Sequence, residues 1–194
     1  MIAYLSGKFS FKNPTVVHVD VQGVGYEVNI SLNTYAHIQK SDEGKLYTYL
    51  QIKEDAHTLY GFFDAAEKEM FVLLISVSGV GAATARMMLS GMKPEEIINA
   101  ILMKNTSLLE SVKGIGRKTA ERLVLELKDK VSKVSTTSPG NLSVDNTFNQ
   151  DALNALIALG ISRSVAELSI KKIVISDPSI NNLETLIKKA LKSI

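Results

Sequence analysis

Cysteine is absent from the 194 residues, so neither a disulfide framework nor a thiolate metal site can form. That absence fits a reducing cytosol. Tryptophan is also absent, and aromatic residues make up only 6%. A charge excess of one sign is missing as well: the formal net charge is +2, too small to name a partner. No apolar run approaches the ~18 residues of a membrane-spanning helix. The longest candidate, Met70 to Val77, suits a buried helical segment. The start of the chain, Met1 to Lys8, lacks the basic-then-apolar order of a signal peptide. What is present is ordinary for a folded protein, with 45% hydrophobic and 22% charged residues. These features exclude wholesale disorder and predict a soluble, cytoplasmic protein without a membrane partner. The length fits about one or two domains.

The texture changes along the chain. From Met1 to Phe63, apolar and polar residues alternate, as in Val17-His18-Val19-Asp20-Val21 and Tyr26-Glu27-Val28-Asn29-Ile30. Period two marks half-buried strands. Gln22-Gly23-Val24-Gly25 between those runs predicts a hairpin connection. Further runs cover Leu46 to Ile52 and Thr58 to Phe62. Five strands in about sixty residues suit an OB-type barrel, and the same periodicity is compatible with an SH3-like barrel.

Helix replaces strand at Asp64, where Asp64 and Glu67 have the spacing of a capping box. The helical texture, with Pro94-Glu95-Glu96 as a second start, continues to Val134. In the stretch 135–149, 11 of 15 residues are Ser, Thr, Asn, Gly or Pro, which predicts a flexible linker. The segment 150–194 is helical again. Leu153, Leu156, Ile157, Val165, Leu168, Ile173, Leu183, Leu186, Ile187, Ala190 and Leu191 are its candidate core, broken by Gly160 and Asp177-Pro178.

The strongest signal is an internal repeat. Leu73 to Leu89 reappears 35 residues later as Leu108 to Val124, with eight of 17 pairs identical. The shared centre is Gly79-Val80-Gly81-x-x-Thr84-Ala85 and Gly114-Ile115-Gly116-x-x-Thr119-Ala120. Glycines permit a positive φ and close backbone approach between two helices. The second helix then presents unpaired N–H groups and its positive dipole end. That arrangement holds an anionic oxygen, most naturally a phosphate. A single Gly-x-Gly is an ordinary tight turn; two copies, one of them surrounded by Lys113, Arg117, Lys118 and Arg122, point to a nucleic-acid backbone. The formal charge is −1 for 1–63, +2 for 64–134, −1 for the linker and +2 for the tail, so the basic excess is local.

Other chemistries fail on spacing. Gly116-Arg117-Lys118-Thr119 resembles the end of a Walker A loop but carries an extra Arg and has no strand before it. Thr84 and Thr119 stand where a Rossmann fingerprint needs its third Gly. His18, His37 and His57 are scattered without metal-ligand spacing. No Gly-x-Ser-x-Gly elbow or triad appears. The residues predict a non-catalytic chain without metal or cofactor.

The motifs together resemble the RuvA family, the Holliday-junction-binding subunits of the bacterial branch-migration machine. The resemblance runs over all 194 residues. It is carried by Gly23 to Val28, Glu54-Asp55-Ala56, Leu59 to Phe62, both Gly-x-Gly hairpins, Gly116 to Leu123, and Ala155 to Gly160. It implies an OB-fold barrel at 1–63, a tandem helix-hairpin-helix domain at 64–134, and a mobile three-helix, UBA-like tail at 150–194. It implies a homotetramer, with an octamer left open, that carries an open four-way junction on a flat basic face. It also implies recruitment of the hexameric RuvB ATPase by the tail, around Leu156, Leu159 and Ile161, and a RuvC-type resolvase in the same complex. DNA contacts are implied at Gly79, Val80, Gly81, Thr84, Lys113, Gly114, Ile115, Gly116, Arg117, Lys118, Thr119 and Arg122. Glu54 and Asp55 match an acidic pin at the centre of the tetramer, where carboxylates repel phosphates. One departure is Ala82-Ala83, where the family carries a basic residue; Arg86, one turn on, is the candidate replacement. Two further readings stay beside this one: a helix-hairpin-helix glycosylase or nuclease, and a protein-interaction module with incidental DNA binding.

Overall fold

The computed structural model describes residues 1–135, 144–177, 180 and 182–193, in two compact units, Met1–Thr136 and Thr137–Ile194.

The first unit opens with five strands: β1 (Tyr4–Lys12), β2 (Val16–Val21), β3 (Val24–Ile30), β4 (Glu43–Ile52) and β5 (His57–Phe62). They close into a barrel in the order β1-β2-β3-β5-β4, and pairing of β1 with β4 seals it. The β3–β5 pair is parallel and the rest are antiparallel. This order, with a helix between β3 and β4, is that of an OB-fold and resolves the choice between barrels. The β2–β3 connection is a two-residue turn, Gln22 at φ 53° and Gly23 at φ 89°, with the Gly23 amide donating to Asp20 Oδ1 at 2.8 Å. Two successive positive φ values match the right-handed twist of the flanking strands. The alternating Val17, Val19, Val28 and Ile30 point inward and are fully buried with Leu46.

A helix that the alternation did not reveal, α1 (Leu32–Ile38), follows β3. Ser31 caps it by accepting from the Thr34 amide at 2.9 Å, and Ile38 closes the barrel core.

The helical part of this unit comprises α2 (Ala65–Ile75), α3 (Ala82–Gly91), α4 (Pro94–Leu102), α5 (Thr106–Glu110) and α6 (Arg117–Ser135). Phe71 of α2 packs in tilted geometry among Tyr49, Tyr60 and Phe62 of the barrel at centroid distances of 5.4, 5.1 and 4.9 Å. One apolar cluster therefore runs from β5 into the helices. Asp64 caps α2 as expected, accepting from the Glu67 amide at 2.7 Å. The carboxylate of Glu67 does not close a capping box. It is buried, accepting from the hydroxyls of Ser31 and of Thr34 (2.6 Å), and so fastens α2 to α1.

The second unit holds α7 (Val144–Ala158), α8 (Arg163–Ser176) and α9 (Leu183–Ser193). Of the expected linker 135–149, Ser135 ends α6 and 144–149 belong to α7; residues 136–143 lie outside the described residues. The end of α7 is a Schellman motif: the Gly160 amide bonds Ile157 O at 2.9 Å and the Ile161 amide bonds Leu156 O at 3.1 Å. The core is Ala152, Leu153, Leu156, Ala166, Ile170, Ile173, Leu186 and Ala190. Leu168, Val165, Ile157, Leu183 and Leu191, expected in that core, are exposed instead. Small residues such as Ala152, Ala166 and Ala190 fill the inward positions beside Leu156 and Leu186, and those five side chains lie on the outer faces. Among the described residues no helix is long and apolar enough to cross a membrane.

Candidate nucleic-acid interface

The two copies of the repeat fold alike. In each, a serine follows the first helix and donates back to it: Ser76 Oγ to Leu73 O at 2.7 Å, and Ser111 Oγ to Leu108 O at 2.6 Å. The chain then turns at a glycine with positive φ, 93° at Gly79 and 96° at Gly114. The aliphatic residue after it packs inward: Val80 and Ile115 are each 5% exposed. Their amides donate to Val77 O and Val112 O, both at 3.0 Å. Val80 and Ile115, predicted among the DNA contacts, thus anchor the loops through buried side chains.

The second glycine opens the next helix. Gly81 is the N-cap of α3, and the Gly116 carbonyl receives the Ala120 amide at 2.9 Å at the start of α6. A serine or aspartate there would fold its oxygen onto the first N–H groups. Glycine has no side chain to do so, and α3 accordingly carries no side-chain cap. A β-carbon placed on either Gly81 or Gly116 would meet nothing within 4 Å.

The two loops also lie against each other. Thr119 faces Gly79, and Thr84 faces Gly114; a β-carbon on each glycine would sit 3.7 Å from the opposing threonine. Both threonines are half-buried. The hairpins therefore form a pseudo-symmetric pair with two glycine-capped helix starts.

The charges are unequal. Lys113, Arg117 and Lys118 are exposed around the second loop. Arg117 Nε pairs with Glu121 at 3.0 Å, and that carboxylate holds the guanidinium pKa above its ordinary value. An exposed i,i+4 pair is weak and screened by solvent, so a phosphate can displace Glu121. Arg122 Nη1 donates to Ser78 O, in the first loop, at 3.2 Å. At the first loop, the two positions after Gly81 are Ala82 and Ala83. The expected substitute, Arg86, is turned to the barrel, where Nη1 donates to Asn29 Oδ1 at 2.7 Å and to Thr15 O at 3.1 Å. Arg86 is a strut between α3 and β3. Its partner lies 57 residues away in sequence, and no local signal announces it.

Away from the hairpins, Glu54 and Asp55 occupy the exposed tip between β4 and β5, where the Lys53 amide bonds Ala56 O at 2.9 Å. In the tail, Leu159 is 61% exposed while Leu156 is fully buried. Ile161 packs partly against the tail core. Leu156 is thus removed from the set of surface residues, because its position on α7 faces α8 and α9. Leu168, at 70% exposure, lies on the surface instead.

Comparison with known proteins gives a consistent picture. The family described as RuvA N terminal domain matches residues 1–61. The SAM-like helix-hairpin-helix tandem matches 71–129, and the RuvA C-terminal domain matches 148–194. Proteins of Flavobacterium psychrophilum and Christiangramia forsetii are 50% and 48% identical over 194 residues, covering all of both chains. A protein of Cytophaga hutchinsonii is 48% identical over 197 aligned positions, covering 99% of each chain. Each of the three is named Holliday junction branch migration complex subunit RuvA. With both hairpins, the barrel and the tail matched in order and at full length, the chain belongs to the RuvA family.

Proposed function

We propose that this chain binds four-way DNA junctions by shape and serves a branch-migration machine in recombination and repair. The observation that carries this reading is the pair of glycine-capped helix starts held face to face through Thr84–Gly114 and Thr119–Gly79. Each offers backbone N–H groups to a phosphate, and Lys113, Arg117 and Lys118 add charge at the second. Contacts of this kind fix a protein on a DNA backbone without reading bases. The name borne by the full-length relatives supports the junction as the substrate.

Four copies arranged as a homotetramer supply the multivalency that separates a junction from a duplex. The Glu54–Asp55 tips gather at the centre and repel phosphates from the crossover. Neutralising the tip with Glu54→Gln and Asp55→Asn is expected to raise duplex affinity toward junction affinity; an unchanged preference would remove the tip from this account. The tail, with Leu159 exposed, docks a RuvB-type hexameric ATPase, and a RuvC-type resolvase shares the complex. ATP hydrolysis resides in that motor, and this chain positions DNA in the cytoplasm without catalysis of its own.

The test is amide hydrogen exchange of the full chain with and without a four-way junction. Protection is expected at both 79–84 and 114–119. Protection confined to one hairpin, or to neither, would contradict the paired phosphate site.

A further inference from the structure

Along α6, Thr119, Arg122 and Lys130 lie on one helical face, by their spacings of three and eight. All three meet the first hairpin loop rather than their own. Thr119 faces Gly79, Arg122 Nη1 donates to Ser78 O at 3.2 Å, and Lys130 Nζ donates to Ser76 Oγ at 3.4 Å. The reverse brace is weaker. The residue equivalent to Arg122 in the first copy is Met87, which has no donor, and Ser78 corresponds to Lys113. In that direction Thr84 reaches across, to Gly114.

We propose that Arg122 is a positioning residue: it holds the first hairpin loop in its phosphate-binding shape and does not itself bind phosphate. The carbonyl it grips immediately precedes Gly79, whose φ of 93° sets the direction of the following amides. A second, weaker contact runs from Arg122 Nε to Glu126 Oε1 at 3.7 Å. The loop it braces is the one whose flanking positions are Ala82 and Ala83. With alanine at both positions after Gly81, that loop depends on the geometry of its backbone. The second hairpin has Lys113, Arg117 and Lys118 nearby and needs less support. The division of labour is thus charge at the second loop and preorganisation at the first.

This inference rests on the phosphate-clamp reading, and salt dependence separates its two alternatives. Each phosphate contact releases counterions and steepens log K against log salt by about 0.9. Arg122→Met copies the residue at the equivalent position of the other hairpin. It is expected to weaken junction binding about threefold or more, the worth of a net hydrogen bond, while leaving the salt slope unchanged. Lys118→Met is expected to lower the slope. In the free Arg122→Met protein, the Val80 amide is expected to exchange faster by about tenfold, through local opening of the loop, with Ile115 unaffected. A salt slope lowered as far as in Lys118→Met, with Val80 exchange unchanged, would overturn the proposal and make Arg122 a phosphate ligand. Exchange needs no DNA. A wild-type chain that ignores junctions would sink the proposed function, whereas unchanged exchange at Val80 would sink this inference alone.

Discussion

Thr84 stands against Gly114 at the distance, 3.7 Å to a β-carbon built there, at which Thr119 stands against Gly79. The threonine of each repeat thus serves the turn of the other. Neither loop is an independent module; the spacing between the two helix starts is set by a reciprocal contact. Thr84 and Thr119, predicted as DNA contacts, have this second role whether or not a hydroxyl also reaches a phosphate.

The two glycines of a loop have different duties, and alanine separates them. At Gly114, φ is 96° and space is adequate, so Gly114→Ala costs about 1–2 kcal/mol through backbone strain alone. Urea unfolding reads that loss. At Gly116 φ is not positive and a β-carbon meets nothing within 4 Å. Gly116→Ala is expected to change stability by less than about 1 kcal/mol. Its methyl nevertheless stands where a phosphate would approach, and junction affinity falls. A Gly116→Ala chain that unfolds early but binds normally would reverse the assignment.

Arg86 joins the hairpin domain to the barrel. Arg86→Ala leaves the half-buried Asn29 Oδ1 without this donor, at a cost of about 1.5–3 kcal/mol for a lost charged hydrogen bond. Folded Arg86→Ala should bind DNA with the wild-type salt slope. A slope reduced by about one would restore Arg86 to the phosphate contacts.

Glu67 carries a pH dependence of definite sign. Burial raises its pKa above the ordinary 4.5; the Ser31 and Thr34 hydroxyls oppose the shift, and nearby Asp64 adds to it. A group whose folded pKa is raised binds more protons folded than unfolded. Its contribution to stability therefore falls as pH rises from 4.5 through the folded value. Glu67→Gln has no such titration. The wild-type stability minus that of Glu67→Gln should decrease with rising pH over this window, measured by denaturant unfolding at several pH values. A difference that grows with pH would mean the hydroxyls outweigh burial.

In the tail, Leu156 and Leu159 sit three residues apart with opposite fates. Leu156→Ala empties a fully buried site and should cost about 2–5 kcal/mol in the thermal unfolding of the tail. Leu159→Ala, at a site 61% exposed, should leave stability within about 0.5 kcal/mol while weakening binding to a RuvB-type motor. Equal motor binding by wild type and Leu159→Ala would move the docking surface elsewhere.

The parts of this structure legible in the sequence are those determined locally. The hairpin repeat is visible because its glycines, serines and threonines act within a few residues of one another. The strands are visible because alternation is a property of neighbours. Helix α1 has little local signal: it is seven residues long, and it is held by Ser31, Thr34 and the distant Glu67. The partners of Arg86 and Arg122 lie 57 and 44 residues away, so the chemistry of those side chains could be named but not their direction. In the tail, helical periodicity marked the apolar positions but not which of them are buried, because Ala152, Ala166 and Ala190 fill inward positions.

The central claim is recognition of a four-way junction by shape, and competition binding at fixed, near-physiological salt tests it most directly. Labelled junction held by the full chain is challenged with unlabelled duplex of equal length. The account predicts that the complex withstands a large excess of duplex and yields to unlabelled junction. Equal displacement by duplex and by junction would contradict it, leaving two phosphate-binding hairpins with no preference for the branched form.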